Sequence, residues 1–279
     1  MNFNFQVLKC AAFNTSAEAG TALLFFCLIA GFAFGQETQS LNQARQGEFI
    51  SRLAGGDEEQ RLNSMIRIIE LFDVEPNSAT SQAFTALTHS LQHDSSALVR
   101  ALSARTFEKC CGEQAIPTLL AALAIEREIP VRKAIIYALA QYRSSQISIA
   151  LIPFLNDKTP DIRGATAFAL AERGDANSLD ALLQLLQKRQ KDEDAFSRSQ
   201  AIRALGRIGN HSAIEVLVKS LLRDKSPEVR REAAYALGRI ANKQDVKAIE
   251  TLHEASLQAD PYLAGIAKEA LDKVNLRNP

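Results

Sequence analysis

Tryptophan is absent from this 279-residue chain, and so is any excess of one charge: lysine plus arginine equal aspartate plus glutamate at 32 each. Zero net charge excludes a protein built to coat nucleic acid or an anionic membrane, because both partners select a clear cationic excess. It leaves room for a local basic patch. Nothing resembles a glycine-rich phosphate loop, a nucleophile elbow or a paired catalytic carboxylate. Beyond residue 35 the only cysteines are the adjacent Cys110 and Cys111, so no disulfide framework holds the fold. The expectation is a chain that is not an enzyme and has no catalytic residues, no cofactor and no metal.

Long apolar runs are also missing, with one exception at residues 19–35, AGTALLFFCLIAGFAFG. That run is short of the ~20 residues a membrane-spanning helix needs. It ends in Ala33-Phe34-Gly35, which sets small residues where a signal peptidase reads. Residues 1–35 therefore read as a cleaved export signal, which places the protein in the periplasm, the cell envelope or outside the cell. An uncleaved anchor is the alternative, and would be the one membrane contact. Cys27 follows Phe25-Phe26 rather than a small residue, which argues against a lipid anchor. Residues 36–56 are polar and glutamine-rich, a leader or an irregular first helix.

What is present is repetition. The stretch 224–240, DKSPEVRREAAYALGRI, opens with Ser226 as N-cap, Pro227 at the first helical position and Glu228 near the positive helix end. Val229, Ala233, Ala236, Leu237 and Ile240 then recur at helical spacing. Val229-Arg230 aligns upstream with Ser197-Arg198, Ile162-Arg163, Val131-Arg132 and Val99-Arg100, a period of about one helical hairpin. Six places before each arginine stands an acid: Asp224, Asp192, Asp157, Glu126 and Asp94. Second helices follow at Ala115–Leu123, Ile147–Leu155, Leu179–Leu186, Ala213–Leu222 and Val246–Leu252. Asp57–Phe72 and Ala83–Leu91 match the repeat poorly, as a terminal unit does, and Leu263–Leu271 closes the other end. Gly112, Gly174 and Gly209 sit where helices end, and Ser212 with Glu215 reads as a capping box.

The acid, the hydrophobe-arginine pair six residues on, the turn ending ALG and the following AIPTLL resemble the HEAT-like repeat of the phycobilin-lyase type, over roughly residues 57–271. The resemblance implies an all-α fold: a right-handed α-solenoid (α-α superhelix) of about six helical hairpins with irregular caps, its repeat domain at 57–279. The same family ranges from chromophore lyase subunits to plain adaptors. The reading adopted is a non-catalytic interaction scaffold for a protein or peptide partner, with a phycobilin lyase or lyase helper as the alternative. An export signal argues against the lyase, whose pigment attachment is cytoplasmic in that family.

The acid–arginine ladder reads as a stacking device rather than a ligand site. Two residues before each repeat leucine stand Arg105, Tyr137, Phe168, Arg203 and Tyr235, which stacking would draw into one stripe. The resemblance places this helix on the inner, concave surface. Aromatics and arginines there compose an interface, or else the aromatics fill space between helices. Arg207 and Arg239, four residues further along, extend the stripe into a cationic patch. Cys110 and Cys111 read as buried small hydrophobes, a vicinal disulfide being the strained alternative. Of the histidines only His253 precedes a glutamate, and it is aligned with Leu123, Leu155, Leu186 and Leu221. His89 and His93 share a helix face without the acid a metal motif requires.

Overall fold

In a computed structural model, the protein is described at residues 42–188 and 194–277. The apolar run at 19–35 and Asp192 lie outside the described residues, as do residues 36–41 of the polar leader. Residues 42–55 form a helix, α1, so this part of the leader is helical. Among the described residues there is no strand, and no helix is long and apolar enough to cross a membrane.

Two rows of helices follow α1. The first row is α2 (Glu58–Val74), α4 (Ala97–Cys110), α6 (Ile129–Ala140), α8 (Pro160–Arg173), α10 (Ala195–Ile208), α12 (Pro227–Ile240) and α14 (Pro261–Leu276). Alternating with them come α3 (Ser81–His93), α5 (Ala115–Ile125), α7 (Ser145–Leu151), α9 (Leu179–Lys188), α11 (Ile214–Arg223) and α13 (Val246–Ser256). The described residues form an all-α solenoid of six hairpins, α2–α3 through α12–α13, flanked by α1 and α14.

One continuous core fills the space between the rows. Leu139, Leu170, Leu205 and Leu237 of the repeated ALG or ALA segments are fully buried, as are Leu119, Leu182 and Leu217 from the facing row. Alanines between them let the first-row helices come close. A Cβ added to Gly238 would lie 2.8 Å from the Ala270 backbone, and one on Gly206 would lie 3.0 Å from the Ala236 Cβ. Second-row neighbours touch far less. A stack with one row spaced more tightly bends towards that row, so the first-row helices line the inner side of the curve.

The helix ends correct several local expectations. Gly174 and Gly209 terminate α8 and α10 in the left-handed region, at φ 59° and 74°, as their positions predict. Ser226 and Pro227 do begin α12, yet the Ser226 hydroxyl caps nothing; its amide donates instead to Asp224 Oδ1 at 2.9 Å. The capping box at Ser212 does not form. Asn210 caps the short 3-10 turn His211–Ala213 by accepting from the Ser212 amide, because that extra turn shifts the start of α11 to Ile214. α7 likewise stops early and tightens into a 3-10 segment, Ile152–Asn156, at Pro153.

Two side-chain assignments change. Cys110 and Cys111 are buried as expected, but they are bonded to each other in a disulfide. Cys110 ends α4 and Cys111 has already left helical backbone, at φ −135°, which gives the pair a conformation the helix interior denies it. His253 is exposed, and Leu252 fills the core position instead, so the register there is off by one residue. His89 and His93 meet with ring centres 5.1 Å apart and planes tilted by 52°. No group of three or more His, Cys, Asp or Glu among the described residues is placed to hold a metal.

α1 caps the first hairpin. Leu53 is buried, and Gln46 both donates to the Ser78 carbonyl and accepts from the Thr80 amide, each at 3.0 Å. Those bonds satisfy the turn before α3.

Candidate functional site

The ladder arginines set the geometry of the first row. Arg100, Arg132, Arg163 and Arg198 each reach forward to a carboxylate of the following turn: Glu126 at 2.7 Å, Asp157 at 2.5 Å, Asp194 at 3.0 Å and Asp224 at 2.7 Å. Arg61 adds a rung at the start with Asp94, 2.8 Å, which the degraded first repeat concealed. Asp194 stands where the six-residue spacing pointed to Asp192. Arg100, Arg163 and Arg230 also donate to the carbonyl six residues back, on the turn that starts their own helix. Arg100 and Arg163 thus each tie two successive turns together.

The carboxylates complete the joint. Asp94, Asp157 and Asp224 accept the amide two residues on, at 2.8, 2.8 and 2.9 Å. Burial by itself would raise the Asp157 carboxyl, but hydrogen bonds from Arg132 and the Thr159 amide, with the Arg132 charge, outweigh it and hold that group below the usual carboxylate range. Glu126 is lowered in the same way against burial, by Arg100 and the Glu128 and Arg127 amides. These groups are consumed by structure, so the ladder orders the stack and presents nothing to a ligand.

Arg105, Tyr137, Phe168, Arg203 and Tyr235 each lie five residues past a ladder arginine, which brings all five to the same face of their first-row helices. None is buried. Tyr137 and Phe168 meet edge to face with ring centres 5.5 Å apart, linking α6 to α8. Arg105 is exposed on α4. Ile66, 46% exposed, occupies the same position in α2; its spacing from Arg61 was the one signal that could have found it.

Towards the C-terminal end the stripe opens into a groove of about 450 Å³. Arg203, Arg207, Tyr235 and Arg239 line it, so the structure brings four of the seven stripe residues together. Sequence reasoning missed Arg231, Glu232 and Ile266, which share the lining. Tyr235 is 44% exposed and carries the Lys273 ammonium 5.4 Å from its ring centre.

The patch is less cationic than the spacing implies. Arg203 forks onto Glu232 at 3.1 Å, and this bond raises its pKa. Arg231 pairs with Asp260 at 3.0 Å. Arg207 pairs with Glu172 at 3.3 Å. Arg239 alone of the four has no carboxylate partner among the described residues; it donates to the Gly206 carbonyl at 3.0 Å.

Residues 116–193, 148–221 and 185–272 match the model of HEAT repeats, together more than half of the chain, and the protein belongs to that family. No curated protein matches it. Among solved structures it is similar to an engineered protein, with a TM-score of 0.54 at 21% identity over 82% of this chain and 68% of that one. The complex of CpcE and CpcF of phycocyanin lyase from Nostoc sp. PCC7120 aligns with a TM-score of 0.49 at 20% identity, over 82% and 94%. A designed armadillo repeat protein in complex with the peptide (KR)4 aligns at 0.45 and 18%, over 82% and 98%. The first of these speaks for the fold alone, and the other two are too distant to carry an argument.

Proposed function

We propose that the protein is a non-catalytic interaction scaffold that holds a protein or peptide partner along the inner side of its first helix row. One observation carries this: stacking delivers Tyr137, Phe168 and Tyr235 with Arg203, Arg207 and Arg239 to a single face, unburied, on helices locked by the arginine ladder. Aromatics and arginines dominate interface energetics: the aromatics bring large contact area at little entropic cost, and the arginines bring several donors in a fixed fork. The trough is open, which suits a chain laid across it.

The protein acts in the periplasm or cell envelope in this reading. Support comes from the apolar run at 19–35 and from the Cys110–Cys111 disulfide, a bond that persists in oxidising compartments. Affinity capture from envelope fractions, with sequencing of the mature N-terminus, tests partner and location together.

Replacing both Tyr137 and Tyr235 by alanine should abolish partner capture while leaving helicity unchanged by circular dichroism. Undiminished capture would move the binding surface to the outer row or the turns. The lyase alternative predicts a covalent absorbance shift when the purified protein is incubated with bilin and an acceptor protein. No such shift is expected here.

A further inference from the structure

We propose that the groove between α10, α12 and α14 binds an acidic peptide segment, seating a carboxylate against Arg239 and Arg207 and an apolar side chain against Tyr235 and Ile266. This rests on the reading of the first row as a partner surface and narrows it to one chemistry.

Charge decides the sign. Four arginines and two glutamates line the groove. Arg203 and Arg231 are neutralised by Glu232 and Asp260, so they hold the walls in place. Arg239 is answered by no carboxylate among the described residues; its Nε donates to the Gly206 carbonyl. The Arg207–Glu172 pair is 40% and 35% exposed at 3.3 Å, a solvent-screened contact that an incoming carboxylate can share. Lys273 lies over the Tyr235 ring but is paired with Glu269 at 2.7 Å, so the unanswered charge of the groove is that of Arg239.

Shape follows from the small residues. The floor is Gly206 against Ala236, which the close approach of α10 and α12 requires, so no bulky side chain rises between Arg207 and Arg239. A guanidinium offers a carboxylate two parallel donors, and the exposed Tyr235 ring and half-buried Ile266 offer apolar area beside it. Glu228 and Glu232 interrupt the cationic lining. A continuous row of phosphates would meet them, whereas carboxylates spaced along a peptide avoid them.

Fluorescence anisotropy with labelled peptides of repeated Glu-Glu-Phe, Gln-Gln-Phe and Lys-Lys-Phe units tests this on the full chain. The acidic peptide should bind about tenfold or more tighter than the neutral one, with affinity falling as salt rises, and the basic one should not bind. Arg207→Glu with Arg239→Glu should lose about tenfold or more of that affinity, and Arg239→Gln a smaller part, with Arg239→Lys between Arg239→Gln and the parent because it keeps the charge but not the paired donors. Circular dichroism confirms that each variant is folded.

Equal or stronger binding of the neutral or basic peptide would overturn the proposal. So would no binding by any of the three, competition by polythymidine as effective as by the acidic peptide, or an unchanged affinity in the double charge reversal. The Tyr137→Ala, Tyr235→Ala capture runs in parallel. If capture is lost but the peptides show no acidic preference, only the acidic chemistry falls. If capture is undiminished as well, the partner surface falls with it.

Discussion

At the scale of single residues, the ladder arginines matter more than their charge suggests. Arg198 and Asp224 are 4% and 5% exposed, so removing one leaves the other buried without its partner. Arg198→Met should therefore cost about 3–5 kcal/mol in denaturant unfolding. Pairing it with Asp224→Leu should recover only part of the loss, since the Ser226 amide still lacks its acceptor. A double variant no less stable than the parent would show that the ladder carries no net stability. The lowered Asp157 and Glu126 carboxyls set the sign of the acid response. A depressed folded pKa contributes stability that is present above the ordinary carboxylate range and lost as pH falls through the folded value. The urea midpoint should fall as pH drops below about 4, and Glu126→Gln, which removes one such group, should flatten that fall.

At the scale of elements, first-row contacts make helical glycines behave in opposite ways. A Cβ on Gly238 would lie 2.8 Å from Ala270 backbone, so Gly238→Ala should destabilise by about 1–3 kcal/mol despite alanine's better helix propensity. Gly265, also within a helix, has nothing within 4 Å, and Gly265→Ala should stabilise by about 0.5–1 kcal/mol. Thermal denaturation of the two variants is the check. The repeat motif made most helix positions legible: residues 179 and 246 were located as helix starts to the residue. Starts that depend on a 3-10 turn, as before α11, were not. Whether Asn210 or Ser212 caps is decided by how the preceding helix leaves its left-handed glycine.

At the scale of the whole molecule, stability follows neighbours. Each first-row helix packs on the next, so a chain ending before Pro261 should expose the Gly238 face of α12. Hydrogen exchange should then show α12 and α13 opening at lower free energy while α4, α6 and α8 keep their protection. Uniform loss of protection along the stack would instead mark one cooperative unit. The inner curve, and with it the stripe, belongs to this scale, because curvature comes from the difference in spacing between two rows.

The sequence alone determined the period, the two-helix unit, the buried leucines and the stripe positions, because each repeat meets nearly the same neighbours and so carries nearly the same residues. Only the tertiary structure decided which acid each arginine holds, that Cys110 and Cys111 are bonded, and that Arg203 and Arg207 are answered by Glu232 and Glu172 while Arg239 is not. Those outcomes depend on where side chains from different repeats end up across a shared boundary. Spacing along one chain does not encode that distance until the helices are stacked.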